Sequence, residues 1–228
     1  MISLKYSYLS PTVMILIIFA LLGTTYMRNF TWRDDGTLWE DVLKKNSGKP
    51  RIYNYLGIFY FKKHHYAKAI ELFQMAIAID PSYYEPYFNR GLLYDEMGQF
   101  DMAISDINDA ISLNPLYWQA YNNLGMVYGK LGNFDKAIEQ FNKSITINPT
   151  NFLAYYNRGF TYVLMATYDL ALTDLNKAIK IDNEHAEAYA TRGSVYLKIG
   201  ETALAASDFQ QACNLGYTQG CNMLQHLH

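Results

Sequence analysis

The chain has 228 residues, half of them hydrophobic, and carries 19 Lys and Arg residues against 21 Asp and Glu, for a formal net charge of −2. This near-neutral composition argues against nucleic acid as a partner, since that function requires a basic stripe. The two cysteines form no CxxC pair and the five histidines lack a third ligand at suitable spacing, so no metal site is predicted. Without a phosphate loop, a serine elbow or paired carboxylates, we expect neither an enzyme nor a cofactor.

The first 32 residues differ in kind from the rest, because no charged residue occurs from Tyr8 to Met27. Twenty uncharged residues at helical rise span about 30 Å, the thickness of a bilayer core. The sequence therefore predicts one transmembrane anchor, in contact with the lipid bilayer through residues 8–27. A cleaved signal peptide is the competing interpretation, but one basic residue precedes the run and no small-x-small cleavage site follows it. Aromatic residues flank the run as in interfacial belts: Tyr6, Tyr8, Tyr26, Phe30 and Trp32.

Residues 33–49 lie between this anchor and a long repetitive region. Trp39 and Val42 fall on the bulky and small positions that the second helix of each following repeat uses. We therefore predict a lone helix in this segment that acts as a half-repeat and covers the apolar face of the first repeat.

One 34-residue pattern occurs five times over residues 50–219. Each copy contains a tyrosine, then Leu or Arg, then Gly and a second tyrosine, as in Tyr53-Leu56-Gly57-Tyr60, Tyr87-Arg90-Gly91-Tyr94, Tyr121-Leu124-Gly125-Tyr128, Tyr155-Arg158-Gly159-Tyr162 and Tyr189-Arg192-Gly193-Tyr196. A small, a bulky and another small residue follow: Ala69-Phe73-Ala76, Ala103-Ile107-Ala110, Ala137-Phe141-Ser144, Ala171-Leu175-Ala178 and Ala205-Phe209-Ala212. These spacings place each set on one face of a helix, so each copy predicts a pair of packed helices.

This pattern resembles the tetratricopeptide repeat (TPR) family, whose period and Tyr…Leu-Gly…Tyr…Ala…Phe…Pro signature it shares. The resemblance implies an all-α, right-handed solenoid of helix-turn-helix repeats, here preceded by the single transmembrane helix, and a role in protein binding. Hairpins of this kind must stack, because one hairpin cannot bury its own apolar face. The expected division is residues 1–32 as anchor, 33–49 as capping half-repeat, 50–219 as five repeats and 220–228 as a C-terminal cap.

Three repeats share a correlated departure from the pattern. Those with Arg in place of Leu before the glycine also have Asp sixteen residues later, whereas the other two have Leu72 and Gln140 there. We predict an ion pair between the two helices of each of these hairpins, although a role for the arginines as anion ligands is an alternative. The predicted pairs are Arg90 with Asp106, Arg158 with Asp174, and Arg192 with Asp208.

The side of the first helices that packing does not use is predicted to line a partner-binding groove. Asn89, Asn123 and Asn157 recur at one repeat position, where each amide offers a donor and an acceptor to an extended backbone. Family members that hold peptides use such a ladder, and aromatic residues beside it would supply exposed apolar pockets. The alternative is that these asparagines are repeat consensus and that curvature covers the aromatic rings. The predicted groove residues are Asn54, Phe61, Phe88, Asn89, Asn122, Asn123, Tyr156, Asn157 and Phe160.

The C-terminal segment contains both cysteines. Gly216 is expected to stop the last repeat helix, and the residues after it to form a short capping helix. The eight-residue offset of Cys213 and Cys221 resembles the spacing in Sel1-like relatives of this repeat, in which two such cysteines are bridged. The resemblance implies a disulfide if the domain is extracytoplasmic; two buried thiols are expected if it is not.

Two indications of membrane orientation conflict. Lys5 precedes the predicted span whereas Arg28, Arg33, Lys44 and Lys45 follow it, so the positive-inside count favours repeats in the cytoplasm. The junction around Trp32 and residues 37–45 resembles that of bacterial glycosyltransferase-like membrane proteins, whose TPR repeats face away from the cytoplasm. On this resemblance we expect the repeats on the extracytoplasmic, periplasmic side.

Two functions are compatible with these features. The first is a membrane-anchored interaction scaffold, an accessory subunit of a membrane complex that binds a protein segment in the TPR groove. The second, suggested by the junction alone, is the accessory TPR half of a split envelope glycosyltransferase. The many preceding helices and the acidic catalytic loop of that family are missing, so transferase activity itself is not implied.

Overall fold

A computed structural model of the protein describes residues 35–45 and 48–227, and every regular element in this part is an α-helix. The all-α prediction is therefore confirmed for these residues. Among them, no helix has both the length and the hydropathy that crossing a membrane requires. The predicted anchor, residues 8–27, lies outside the described residues and stays a prediction. The chain divides into two compact units, Met1–Pro81 and Ser82–His228.

In its described part, the first unit contains a lone helix and one hairpin. These are α1 (Asp35–Lys45), α2 (Pro50–Lys62) and α3 (Tyr66–Ile79). The side chains of Trp39, Val42 and Leu43 on α1 pack against a buried cluster that includes Ile52 and Leu56 of α2. The Trp39 ring also stacks on Tyr55, with 4.7 Å between ring centroids. Helix α1 therefore covers the outer face of the first hairpin, at the place where the capping half-repeat was predicted.

The second unit contains four further hairpins and a short final helix. Repeat 2 is α4 (Tyr84–Glu96) with α5 (Phe100–Leu113), and repeat 3 is α6 (Trp118–Lys130) with α7 (Phe134–Ile147). Repeat 4 is α8 (Phe152–Leu164) with α9 (Tyr168–Ile181), and repeat 5 is α10 (Ala186–Lys198) with α11 (Thr202–Asn214). The final helix is α12 (Thr218–Gln225).

The pattern glycines set how closely the two helices of a hairpin approach. A Cβ added at Gly125 would lie 2.6 Å from the ring of Phe141 on the facing helix, so only glycine fits there without rearrangement. Phe141 and the small residues Ala137 and Ser144 are almost fully buried. The small, bulky and small positions of the pattern thus form the seam of each hairpin, as their spacing predicted.

The turn inside each hairpin follows one backbone scheme. In repeats 2, 3 and 5 a glycine with positive φ ends the first helix: Gly98 (72°), Gly132 (73°) and Gly200 (87°). Repeat 4 places Ala166 there instead, with φ of 55°. One residue after the turn, the backbone N–H returns to the carbonyl of the second pattern tyrosine, as in Asn133 N to Tyr128 O at 2.9 Å. This return bond is typical of a left-handed helix C-cap.

Stacking within the second unit is sequential. Each second helix packs on the first helix of the next hairpin, and the first helices α4, α6, α8 and α10 also contact one another in order. These hairpins therefore build a solenoid in which the first helices form a continuous wall.

The C-terminal end of this stack is closed by α12 and a disulfide bond. Gly216 has φ of 88° and ends α11, after which α12 packs back on it. Cys213 and Cys221 are bridged, with 4.7 Å between their Cα atoms. The buried Gly220 makes this close approach possible, since a Cβ there would lie 2.7 Å from the Cβ of Ala212.

Candidate partner-binding face on the first helices

The predicted groove residues of the second unit lie on α4, α6 and α8, at the fifth, sixth and ninth positions of these helices. We call this surface the inner face; it consists of Phe88, Asn89, Asn122, Asn123, Met126, Tyr156, Asn157 and Phe160. The two remaining predicted residues, Asn54 and Phe61, belong to the first unit.

Two members of the inner face were expected to be exposed but are buried. Phe88 is 7% exposed because the ring of Tyr117, which precedes α6, packs on it with 4.9 Å between centroids. Asn122 is 5% exposed because its Oδ1 accepts a hydrogen bond from Nδ2 of Asn157 on the next first helix, at 3.1 Å. The fifth helix position therefore points toward the neighbouring repeat and not into open space. Asn54 occupies the equivalent position in the first unit and is fully buried as well.

The predicted asparagine ladder is partly engaged by the protein itself. Nδ2 of Asn123 donates to the backbone carbonyl of Gln119, one turn earlier on the same helix, at 2.9 Å. Asn157 donates across to Asn122, and Asn89 is half-buried. An incoming backbone would thus meet amides that are already oriented by intramolecular bonds, and for Asn157 the bond runs between repeats.

Aromatic rings form one end of the inner face. Tyr156 is half-buried between His185 and Phe160, with centroid distances of 4.8 and 6.4 Å. Burial raises the pKa of the Tyr156 hydroxyl, whereas its hydrogen bond with Thr191 acts in the opposite direction. Burial likewise raises the pKa of Tyr117, which contacts both Tyr84 and Phe88. Both tyrosines are therefore neutral packing elements at physiological pH.

Apolar side chains that remain exposed cluster toward the later repeats. Phe160 is 43% exposed and lies one turn after Asn157 on α8, and Met126 occupies the equivalent position on α6. Leu164 and Leu197, at the ends of α8 and α10, are exposed as well. The most exposed members of the inner face, Met126 and Phe160, are therefore apolar, and the half-buried Asn89, Asn123 and Asn157 are its polar members.

One ion pair spans the inner face near the ends of α4 and α6. Nζ of Lys130 donates to both carboxylate oxygens of Asp95, at 2.7 and 2.8 Å. The Asp95 side chain is 15% exposed and the Lys130 side chain 46%. This lysine is thus already neutralised and is not free to clamp a terminal carboxylate of a ligand.

The structure brings all three correlated Arg–Asp pairs together inside their hairpins. Each arginine forms a two-point contact through Nε and Nη2 with both carboxylate oxygens: 2.6 and 2.8 Å for Arg90 with Asp106, 2.7 Å twice for Arg158 with Asp174, and 2.8 and 2.7 Å for Arg192 with Asp208. The aspartates are buried, and the ion pair raises the pKa of each guanidinium against the opposing effect of its own burial. Donors engaged in this way favour the structural role over the anion-ligand alternative.

Pattern tyrosines and a neighbouring asparagine complete these contacts. The guanidinium of Arg192 lies 5.5 Å from the ring of Tyr189 and 5.8 Å from that of Tyr196. Its Nη1 also donates to Oδ1 of Asn176 on α9, in the preceding repeat, at 2.6 Å. Arg158 makes the equivalent bond to Asn142 on α7.

Several contacts of this face were not predicted from the sequence. Tyr117 and His185 stand one residue before α6 and α10, and their rings fill the gaps between successive first helices. A signal was available, since aromatic or histidine side chains recur at that repeat position as Tyr83, Tyr117 and His185. The Lys130–Asp95 pair joins residues 35 apart, one repeat period plus one, so only the stacking geometry reveals it. No cluster of His, Cys, Asp or Glu able to hold a metal occurs among the described residues.

The fold is that of an α-helical repeat protein whose first helices form one continuous wall. Tetratricopeptide repeat family models match residues 50–83, 84–117, 118–151, 141–173 and 186–215. Together these matches cover well over half of the chain, so the chain belongs to the tetratricopeptide repeat family. No curated protein sequence matches it.

Solved structures of TPR proteins have the same fold. MamA is 25% identical, with a TM-score of 0.63 over 73% of this chain and 91% of that protein. YrrB, described as a TPR protein with an unusual peptide-binding site, is 18% identical, with a TM-score of 0.61 over 78% of this chain and 91% of its own. TTC0263, a thermophilic TPR protein of Thermus thermophilus, is 19% identical, with a TM-score of 0.63 over 77% of this chain and 99% of its own.

Proposed function

We propose that this protein is a membrane-anchored interaction scaffold, which binds a segment of a partner protein on the inner face of its second unit. The observation that carries the proposal is the exposed Phe160 beside the inter-repeat bond between Asn157 and Asn122. Phe160 offers a partner apolar contact area, and oriented amides offer pairing with its backbone. The peptide-binding site described for YrrB supports this use of the fold.

The charges of the inner face favour an internal segment of the partner over its C-terminus. Recognition of a terminal carboxylate requires free cations, but on α4, α6 and α8 the lysine of this face, Lys130, is already paired with Asp95. The exposed apolar side chains on α6 and α8, Met126, Phe160 and Leu164, suit the apolar side of an extended or helical segment. We therefore propose that such a segment, contributed by another subunit of a membrane complex, is the ligand.

The membrane anchor and its orientation belong to the same proposal. The uncharged run from Tyr8 to Met27 supports anchoring, and the junction resemblance supports repeats on the extracytoplasmic side. The bridged Cys213 and Cys221 favour this side too, because disulfides persist in oxidising compartments. Mass spectrometry of protein alkylated in intact cells without reduction should find this disulfide in most molecules, and free thiols at both positions would contradict the extracytoplasmic orientation.

The inner face is tested with full-length protein in its native membrane. We expect the combination of Asn123→Ala, Asn157→Ala and Phe160→Ser to abolish crosslinking of the partner segment, while far-UV circular dichroism stays unchanged. Leu116→Ser is the control for loss of an exposed apolar side chain, since Leu116 is 74% exposed, lies in the loop between repeats 2 and 3 and does not belong to the residues that define this face. Retention of every crosslinked partner by the triple variant would exclude the inner face as the binding site.

The same experiment bears on the second candidate function, an accessory role beside an envelope glycosyltransferase. Its support is the resemblance of the junction, from Trp32 through residues 37–45. In that case the crosslinked partner should be a multi-spanning transferase without repeats of its own, and its transfer activity should fall when this chain is removed.

A further inference from the structure

A second exposed apolar surface lies on a different side of the second unit, where the turns inside the hairpins are located. Each first helix ends on an exposed aliphatic residue at its C-cap, namely Met97, Leu131, Met165 and Ile199. Near the start of the second helices, repeats 2, 4 and 5 add Met102, Leu170 and Leu204. These seven side chains, which we call the turn edge, are between 37% and 50% exposed.

The turn edge contains two equivalent cavities. The first, of about 300 Å³, is lined by the turn of repeat 2 with Met102 and by Leu131 of repeat 3. The second, of about 410 Å³, is lined by the turn of repeat 4 with Leu170 and by Ile199 of repeat 5. Each is thus formed by the turn of one repeat and the first-helix C-cap of the next, and the two are separated by two repeats.

Repeat 3 interrupts the apolar series on the second helices. It has Lys136 where its neighbours have Met102 and Leu170, and this ammonium lies 5.4 Å from the ring centroid of Tyr128. Because Lys136 occupies this position in repeat 3, the position tolerates a charged residue. The fold therefore does not require the aliphatic side chains of Met102 and Leu170 at the same position in the neighbouring repeats. Half-exposed Met and Leu at the equivalent positions contribute little to packing and are better explained by a contact outside this chain.

Negative charge accompanies the apolar side chains. Asp101, Asp135 and Asp169 begin the second helices beside the turns, and all three are exposed. Acidic residues in the first turn of a helix also stabilise its N-terminus, which accounts for aspartate at this position in three repeats. Their effect on the surface is a regular row of carboxylates along the turn edge. Residues 82–228 carry 15 acidic against 9 basic side chains, a formal net charge of −6.

We propose that the turn edge is a second docking surface, which binds a cationic amphipathic helix of a partner protein. The first helices of successive repeats contact one another, and helices in contact lie about 10 Å apart, so successive repeats present their aliphatic residues at about this interval. A helix that runs along the edge rises about 10.5 Å over seven residues and would place an apolar side chain opposite each repeat. The two cavities then receive bulky side chains about 14 residues apart, with Lys or Arg flanking them opposite the aspartates. This surface lies at helix ends and does not depend on the inner face.

The test uses full-length protein in non-ionic detergent and a fluorescent peptide of about 22 residues of Lys and Ala with Leu at every seventh position. Its twin has Glu in place of every Lys, and detergent without protein is the blank in each anisotropy titration. We expect the cationic peptide to bind and the acidic twin not to. The triple variant Met102→Gln, Leu170→Gln, Leu204→Gln should weaken binding about tenfold or more, because three apolar contacts are lost. Raising the salt from about 50 to about 500 mM should weaken it further.

Two control variants locate the binding. Leu113→Gln with Leu116→Gln removes exposed aliphatic side chains outside the turn edge, and Phe160→Ser changes the inner face; both should leave the affinity of the cationic peptide unchanged. Equal affinities of the wild type and the triple variant, or equal binding of both peptides, would overturn the proposal. So would loss of binding in the Phe160→Ser variant, which would assign the peptide to the inner face. A light-scattering mass that falls from dimer to monomer in the triple variant, with peptide affinity unchanged, would assign the edge to a second copy of this chain.

Discussion

Repeats 3 and 4 are neighbours in the second unit and close the same hairpin with different contacts. Repeat 3 has Leu124 and Gln140 at the two positions where repeat 4 has the two-point ion pair of Arg158 and Asp174. Repeat 3 packs Gly125 on a phenylalanine, whereas repeat 4 packs Gly159 on Leu175. Repeat 3 turns on Gly132 and repeat 4 on Ala166. The hairpin thus forms with either set of residues at the ion-pair position, at the helix seam and in the turn. Substitutions at these three positions measure how much each set contributes to stability.

The largest difference is expected at the ion pair. Asp174→Asn keeps the shape of the side chain but leaves the mostly buried guanidinium of Arg158 without its counter-charge. Removing one partner of such a pair costs about 3 kcal/mol of unfolding free energy. Chemical denaturation followed by circular dichroism measures it, with Gln140→Leu in repeat 3 as the matched control that should change stability by less than about 1 kcal/mol. A variant as stable as the wild type would show that this pair contributes no stability.

Replacing the ion pair of repeat 4 with the neutral residues of repeat 3 separates the effect of charge from that of packing. Arg158→Leu together with Asp174→Gln installs the repeat 3 residues in repeat 4 and leaves no unpaired charge. We expect this double variant to lie within about 1 kcal/mol of the wild type, because replacing a whole ion pair with neutral side chains is far less costly than breaking it. If it were as unstable as Asp174→Asn alone, the loss would come from packing and not from the unpaired charge.

The next largest difference in stability is expected when a methyl group is added to the glycine at which the two helices of each hairpin meet, Gly125 in repeat 3 and Gly159 in repeat 4. A Cβ at position 125 meets the rigid ring of Phe141 at 2.6 Å, whereas one at position 159 meets side-chain atoms of Asp174 and Leu175 at 3.2 Å. Gly125→Ala should therefore cost about 2 kcal/mol, and Gly159→Ala about 1 kcal/mol or less. The two melting temperatures give the order, and a lower one for Gly159→Ala would contradict it.

The turns should respond in opposite directions. Gly132→Ala forces a side chain into the left-handed region, while Ala166→Gly relieves the strain that repeat 4 already carries at φ of 55°. Glycine also has more conformational freedom in the unfolded chain, and this opposes both effects. We therefore expect the free energy of unfolding to change by only about 0.5 to 1 kcal/mol, with a decrease for Gly132→Ala and an increase for Ala166→Gly. Equal signs in thermal unfolding would show that neighbouring contacts dominate the turn.

The smallest effect concerns pH and compares Tyr156 with Asn122, its equivalent in repeat 3. Burial raises the pKa of Tyr156 above that of the unfolded chain, about 10. Its contribution to stability is complete below about pH 10 and is lost as the pH rises toward the folded-state pKa, since only the unfolded state then readily releases the proton. Tyr156→Phe should therefore reduce the alkaline decline in melting temperature between about pH 9 and 11. Asn122→Ala is the control, because it removes no titrating group and should leave the steepness of that decline unchanged.

The hairpins were predictable because their determinants are local and recur with the period. Spacing of three and four fixed the faces of both helices, and the correlation of Arg158 with Asp174 and of its two counterparts identified partners sixteen residues apart. The candidate binding face was predicted less well. Phe88 and Asn122 were expected to be exposed, but their burial depends on Tyr117 and Asn157 of the next repeat. How one repeat lies on the next depends on side chains about one period away, whereas the spacing within one repeat specifies only the contacts inside its own hairpin.

The hydrogen bonds from Arg158 to Asn142 and from Arg192 to Asn176 each join two successive repeats of the second unit. Each arginine joins its own hairpin to the second helix of the hairpin before it, so α7 to α11 are linked in an unbroken series. At the boundary between repeats 2 and 3 the corresponding position is Leu124, whose side chain has no donor. The polar link at this boundary is the pair of Lys130 with Asp95, and an ion pair with a half-exposed lysine contributes little to stability. In a stack whose stability is a sum over neighbouring interfaces, the weakest interface sets where cooperativity ends. Amide hydrogen exchange should accordingly show repeats 3, 4 and 5 opening as one block, and repeat 2 exchanging separately from it.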